Sequence, residues 1–539
     1  MNKFLLLLLI AATSCVAQSP KNKVAKTAAK PKLVVGIVVD QMRYEYLTRF
    51  ESKYSEGGFK RMMNQGFNCK NNQYHYASTV TGPGHAHVYT GSSPAITGIV
   101  GNDWYEKVIN KRMYVAYDST ATLVGEGNDR AGMMSPNNLK VTTMTDQLRI
   151  HTQFGSKVIG VAIKDRGAIL PAGHTGTAYW FDASSGNWIT SNHYMEQLPA
   201  WAKSFNDKDV AQQYTNLTWE PLLPIENYTE SEEDDQPYEN SISGEPKAVF
   251  PHKIELGSLA STPWGNTLTL DFALEAMKNE GLGKGSYTDF LAISFSSPDY
   301  AGHAFGPQSK EVEDIYLRLD LEMERLLKEL DRQVGEGNYT VFLTADHAVA
   351  EIPAFLKKHD VPTGLFIGNE VEKEVEALLV KKFGEGNWLL SSQNYQLYMN
   401  MPLLAEKDVE LEDIYEVLHP VLTMKPGIYQ LVNLRDGEFG SIPTYYQGLL
   451  ENLYNPKRSG EFIILVEPAW FHGYTKGTTH GSMWAYDTHV PLLFFGAGVN
   501  QGATARPTQI ADIASTISQI LGIQEPNGNL GQPILEVLK

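Results

Sequence analysis

Cysteine is almost missing, with only Cys15 and Cys69 among 539 residues. There is no Cys-x-x-Cys pair and no Cys/His cluster, which excludes a structural zinc finger. Export processing would remove or consume Cys15, so no intramolecular disulfide is expected in the mature chain. Positive charge is also short. The 45 Lys and Arg face 62 Asp and Glu, giving a formal net charge of −17. That balance argues against a nucleic-acid partner or an anionic membrane surface. Any anion site must then be made positive locally, by metals or a few placed cations. After the first residues, no apolar run is long enough to span a bilayer.

What the chain has at its start is an address. Lys3 precedes the apolar run from Phe4 to Ala12, a signal-peptide pattern. Cleavage after Ala17 is favoured, defining a signal peptide over 1–17. Ala12-Thr-Ser-Cys15 could instead act as a lipobox that attaches lipid to Cys15, but it lacks a bulky aliphatic residue three positions earlier. Residues 18–32, rich in Lys and Ala, read as a flexible leader. A periplasmic or secreted location is expected, and we expect a monomer.

Apolar, β-branched runs recur along the rest of the chain: 32–39, 157–163, 290–295, 339–343, 461–466 and 491–495. Continuous runs of this length suit strands buried on both faces of a parallel sheet. Between them lie amphipathic helices, clearest over 309–333 and 508–521. The alternation predicts an α/β fold with a central, largely parallel sheet flanked by helices. Two stretches read as insertions. Residues 200–253 are polar and contain Glu230-Ser-Glu-Glu-Asp-Asp235, as in a solvated loop region, whereas 352–458 has the look of a small cap.

Asp and His residues follow these strands in a telling way. Asp40 comes directly after the first, Asp299 and His303 follow the strand ending near Phe295, and Asp346 and His347 follow the one ending near Leu343. Open α/β sheets bind ligands beyond the carboxyl ends of their strands. A late Gly/Thr-rich loop adds His480. Singly each is weak, since an Asp after a strand is usually a turn former or cap. Together, three Asp and three His suit two zinc ions. Thr81, in Ser78-Thr-Val-Thr81-Gly-Pro-Gly-His85, is the candidate nucleophile. It sits ahead of a predicted helix whose N-terminal N–H groups would stabilise phosphoryl oxygens, and a metal or base would have to activate it.

These segments resemble known ones. Thr79-Val-Thr81-Gly-Pro-Gly-His85, with Tyr89-Thr-Gly91, Pro94 and Gly98-Ile-Val-Gly-Asn102, is similar to the nucleophile segment of nucleotide pyrophosphatases/phosphodiesterases and related phosphatases. Asp299-Tyr-Ala-Gly-His303 and Thr344-Ala-Asp346-His347 resemble the metal motifs of the alkaline phosphatase superfamily. The resemblance spans most of the chain and implies an alkaline-phosphatase-like catalytic domain over 33–539. It implies one zinc on Asp299, His303 and His480, and a second on Asp40, Asp346 and His347 with Thr81 as fourth ligand. Attack by Thr81 would pass through a phosphothreonine.

The substrate class turns on two cations. In an extended stretch Lys164 and Arg166 point the same way, and two cations suit the dianion of a phosphate monoester. Asn102 is placed to donate one further hydrogen bond. A Lys-x-Arg after a strand is usually a solvated turn, but Ile163-Lys-Asp-Arg-Gly-Ala-Ile-Leu-Pro-Ala-Gly-His174 closely resembles the PafA-type alkaline phosphatases, whose monoesterase branch uses Asn, Lys and Arg. The expectation is therefore a phosphomonoesterase acting on small molecules. The alternatives are a phosphodiesterase or nucleotide pyrophosphatase of the same fold, and a non-catalytic exported zinc-binding protein. Ser294 stands where related phosphatases place a magnesium-binding Glu, so no third, magnesium site is expected. Cys69-Lys-Asn-Asn does not match a sulfatase nucleophile. His75, His85, His87, His174 and His489 are read as structural.

Overall fold

Seven consecutive apolar residues need cover on both faces, and the strand they form, β1 (Leu33–Val39), is buried throughout. In chain order the other strands of its sheet are β2 (Phe67–Cys69), β3 (Leu123–Val124), β4 (Val158–Ala162), β5 (Thr177–Asp182), β6 (Asn187–Ser191), β7 (Asp289–Phe295), β8 (Tyr339–Thr344), β9 (Leu492–Gly496) and β10 (Gly502–Thr504). They make a 10-stranded sheet of order β10-β2-β9-β8-β1-β7-β4-β5-β6-β3. From β8 to β5 the neighbours run parallel. The joins of β8 to β9 and of β5 to β6 are antiparallel. This computed structural model describes residues 30–437, 439–473 and 475–539. The expected signal peptide, Cys15 and the leader as far as residue 29 lie outside the described residues.

Six helices frame the site: α1 (Thr81–Thr90), α2 (Asp165–Ala172), α3 (Pro263–Glu280), α4 (Ser297–Phe305), α5 (Lys310–Gln333) and α6 (Asp512–Leu521). Ser309 caps α5, accepting from the Val312 N–H at 3.2 Å, and its buried stripe includes Val312, Ile315, Leu319, Leu326 and Leu330. α1 is buried along its whole length. Its seating on β1 depends on Gly36. A Cβ there would lie 2.5 Å from the Tyr89 hydroxyl of α1 and 2.6 Å from the Phe342 ring of β8.

Two expectations change. The apolar run near 461–466 is not in the central sheet. Phe462–Val466 pairs with Gln396–Met399 and Ile428–Asn433 in a separate four-stranded sheet, completed by Leu389–Gln393. The insertion thus continues past residue 458 and owns a core that includes Val375, Leu379, Trp388, Ile414 and Leu431. Apolar runs look alike whichever sheet buries them. Residues 200–253 also differ from a solvated loop, for they bury Trp219, Tyr228, Glu239 and His252. Lys53 takes up charge there, pairing with Glu230 and Glu313.

Replacing Gly36 with Val should lower the thermal unfolding midpoint, because overfilling a packed core costs about 1–3 kcal/mol. A melting curve followed by tryptophan fluorescence reads this directly. An unchanged midpoint would mean that Tyr89 does not sit against β1 this closely.

Candidate active site

Four adjacent parallel strands end at one rim. Asp40 follows β1, Lys164 follows β4, Asp299 and His303 lie on α4 after β7, and Asp346 and His347 follow β8. The loop bearing His480 closes on the same place. Six of these residues fall into two groups, Asp299/His303/His480 and Asp40/Asp346/His347, with ligand atoms in each group within 4.8 Å of one another. These are the sets into which the family resemblance divides them. The groups adjoin, for the His347 and His480 rings stack at 3.4 Å between centroids.

The donor atoms suit a metal. Every one of the three histidines turns Nδ1 toward a backbone carbonyl: His303 to Thr478 at 2.8 Å, His480 to Thr79 at 2.8 Å and His347 to Ala348 at 3.0 Å. With Nδ1–H donating, Nε2 keeps its lone pair for a cation. Asp40 Oδ1, Asp346 Oδ2 and His347 Nε2 are buried and have no hydrogen-bond partner. Buried polar atoms are rarely left so, and N/O sets of this kind fit zinc.

Charge tells the same story. Burial and the neighbouring Asp299 push Asp40 up to about 6, although Lys164 opposes this. Burial and Asp40 hold Asp346 well above the usual carboxylate range. Asp299 goes the other way, since His303 and Lys164 outweigh its burial. Burial and His480 hold the His347 imidazole well below its ordinary value. Three carboxylates in one dry pocket repel one another, and dications would relieve them.

Thr81 opens α1, preceded by extended Val80, and is 1% exposed. Its helix approaches the candidate ligands very closely: a Cβ on Gly84 would lie 2.2 Å from the Asp346 carbonyl oxygen. Asn102 Oδ1 accepts from the Gly82 N–H at 2.7 Å. Arg166 Nη2 lies 3.5 Å from Thr81 Oγ1. Lys164 Nζ bridges the two groups, 2.7 Å from Asp40 and 2.5 Å from Asp299, and stands 5.0 Å over the Tyr300 ring.

Other residues at the site carried no signal in the sequence. Gln41 donates from Nε2 to Asp299 at 2.8 Å and from its backbone N–H to Asp346 at 3.2 Å. His85, read as structural, links the Thr81 carbonyl and Ser294 Oγ, both at 2.9 Å. Tyr114 and Asp165 reach Arg166.

Comparison with known proteins gives a consistent picture. Residues 34–490 match the family described as type I phosphodiesterase/nucleotide pyrophosphatase. A protein of Myroides odoratus named calcium-transporting ATPase is 46% identical over 95% of each chain. Alkaline phosphatase PafA of Elizabethkingia meningoseptica is 44% identical over 94% of this chain and 95% of its own. A crystal structure of wild-type alkaline phosphatase PafA superposes with a TM-score of 0.92, covering 95% of this chain and 99% of that one.

Metal uptake should depend on pH through Asp40. Below about 6 its carboxyl carries a proton in the metal-free protein, and ligation must displace it. Zinc affinity is expected to weaken as the pH falls through that value, roughly tenfold per pH unit for one proton. Competition with a chromophoric chelator at several pH values measures it. The same upward shift favours the metal-free fold at low pH, a contribution lost as the pH rises through about 6. An affinity that stays flat from pH 7 to 5 would contradict the assignment.

Proposed function

The chain belongs to the type I phosphodiesterase/nucleotide pyrophosphatase family, and from that premise we propose that it is an exported, two-zinc alkaline phosphatase hydrolysing small phosphate monoesters through a phosphothreonine at Thr81. The observation that carries this reading is the convergence of Lys164 and Arg166 beside Thr81 and the two ligand groups. A monoester dianion has one more terminal anionic oxygen than a diester. Two cations and a helix N-terminus offer it matching donors.

Asp299, His303 and His480 would hold one zinc, and Asp40, Asp346 and His347 the other, with Thr81 as a further ligand. Bound zinc supplies Lewis acidity, lowering the pKa of the hydroxyl and offsetting charge on the leaving oxygen. Thr81 Oγ then forms a bond to phosphorus as the ester oxygen departs. Water cleaves the phosphothreonine, releasing inorganic phosphate and restoring the hydroxyl. Lys164 has three N–H donors, so two can stay with Asp40 and Asp299 while the third meets a phosphoryl oxygen. Asn102 uses its Oδ1 on Gly82, which leaves Nδ2 to donate to the substrate.

A phosphodiesterase of the same fold would share Thr81 and the zinc ligands but give Lys164 and Arg166 little to do. The first assay is kcat/KM of the zinc-loaded protein for an aryl phosphate monoester and its matched diester. ATP, whose terminal phosphoryl group is also dianionic, belongs in the same series because of the Myroides odoratus relative's name.

We expect a strong monoester preference, and a loss of roughly 10²-fold on the monoester from Arg166→Ala, as for charge-assisted hydrogen bonds. Lys164→Ala should act in the same direction. A diester preference would move the protein to the phosphodiesterase branch. Thr81→Ala should reduce turnover by roughly 10³-fold or more while zinc content, read by elemental analysis, stays near that of the parent. A parent protein that binds zinc but turns over no ester would instead be a binding protein.

A further inference from the structure

The guanidinium of Arg166 must present one edge to a phosphoryl group, and a long side chain has many ways of failing to do so. Its contacts leave it little choice. Nη1 donates to the Tyr114 hydroxyl at 3.1 Å. That hydroxyl donates in turn to Asp165 Oδ1, and the same oxygen accepts from the Arg166 backbone N–H at 2.6 Å. With its proton committed to a carboxylate, the phenol can offer Nη1 only a lone pair. Nη2 faces Thr81 Oγ1, and Nε is buried with no hydrogen-bond partner. The edge formed by Nε and Nη2 is thus the one left for the substrate, a fork that matches two phosphoryl oxygens.

Tyr114 is held as firmly as the group it holds. It ends the hairpin of Asp103–Glu106 and Lys111–Tyr114, where it pairs across with Asp103. The adjoining Val115 N–H donates to the Asn102 carbonyl at 2.9 Å. One hairpin base therefore carries both Asn102 and the support of Arg166. The large insertion grips this hairpin. Asn394 Nδ2 donates to the Asp103 carbonyl at 2.9 Å, and Lys107 pairs with Glu461 at 2.6 Å. Burial and Asp165 raise the Tyr114 phenol above its ordinary value, so it stays protonated across the range in which a phosphatase is assayed.

We propose that Tyr114, oriented by Asp165, is a positioning residue that fixes the Arg166 guanidinium with its Nε/Nη2 edge toward the transferred phosphoryl group. The inference rests on the monoesterase reading above. Preorganised donors act on the charge of the transition state without reorganising as it forms. Loss of the positioning contact should therefore fall on dianionic substrates selectively.

The test is a double-mutant cycle on the zinc-loaded enzyme. Tyr114→Phe should lower kcat/KM for phenyl phosphate about tenfold and weaken inhibition by inorganic phosphate by a similar factor. Hydrolysis of the matched diester should change less than about twofold. In an Arg166→Ala background, Tyr114→Phe should have no further effect. Equal losses on both substrates, or full additivity with Arg166→Ala, would overturn the inference. Asp165→Asn serves as the second variant if Tyr114→Phe does not fold, with the same selective loss expected. A loss from Arg166→Ala with none from Tyr114→Phe or Asp165→Asn refutes the positioning role alone. No loss from Arg166→Ala refutes the monoesterase reading itself.

Discussion

Repulsion among three buried carboxylates is the constraint around which this molecule is organised. Asp40, Asp299 and Asp346 lie within one rim, each 3% exposed or less. An unpaired charge in such surroundings costs several kcal/mol, and three carboxyl groups crowd this pocket. In the metal-free protein the load is met partly by Lys164, partly by the raised proton affinity of Asp346 and, less so, of Asp40. Neither solution gives Asp40 Oδ1, Asp346 Oδ2 and His347 Nε2 a partner. Bound dications would, which is why the donor atoms without hydrogen bonds are a stronger pointer to metal than the ligand motifs alone.

The fold makes that crowding possible. A parallel sheet delivers its strand ends on one side, and β8, β1, β7 and β4 are immediate neighbours. Strand spacing in a sheet is about 4.8 Å. Groups carried by adjacent ends therefore stand at ligand-to-ligand distances without any long loop reaching across. Two close backbone approaches bring in the candidate nucleophile. Gly36 lets Tyr89 seat α1 on β1, and Gly84 lets the first turn of α1 come against Asp346. Thr81 is thus placed by packing at both ends of a fully buried helix. The energy of the core and the geometry of the chemistry are one arrangement.

This explains what was legible in the sequence and what was not. Strands buried on both faces show as unbroken apolar runs, so β1, β4, β7 and β8 could be read with nearly their observed bounds, and the polar residues just after them became the candidate site. The same signal is blind to partnership. Phe462–Val466 is as apolar as β1 but serves the insertion's own sheet, and β9 runs antiparallel where a parallel strand was the simpler reading. The helix expected to follow Thr81 begins at Thr81 itself, because Gly and Pro in its first turn are tolerated where N–H partners are not needed. Tyr114 and Gln41 could not be picked out, since each acts on residues distant in sequence and belongs to no spacing pattern.

The insertion illustrates the last point. Its main apolar core is distinct from that of the main sheet, although Tyr398 packs in the cluster of Trp104, Ala162 and Trp180. What it touches is the hairpin whose base carries Asn102 and Tyr114, and Arg458 reaches further, donating to the carbonyls of Gly98 and Asn138, both at 2.7 Å. Gly98 lies four residues before Asn102. Five of the six candidate ligands follow directly on strands of the central sheet, and His480 comes from the loop after the insertion. The groups that would count phosphoryl oxygens are braced by added structure instead. In that division, the proposed bimetal chemistry would be tied to the core of the fold, while the bracing of Asn102 and Arg166 would sit on elements that can change without disturbing it.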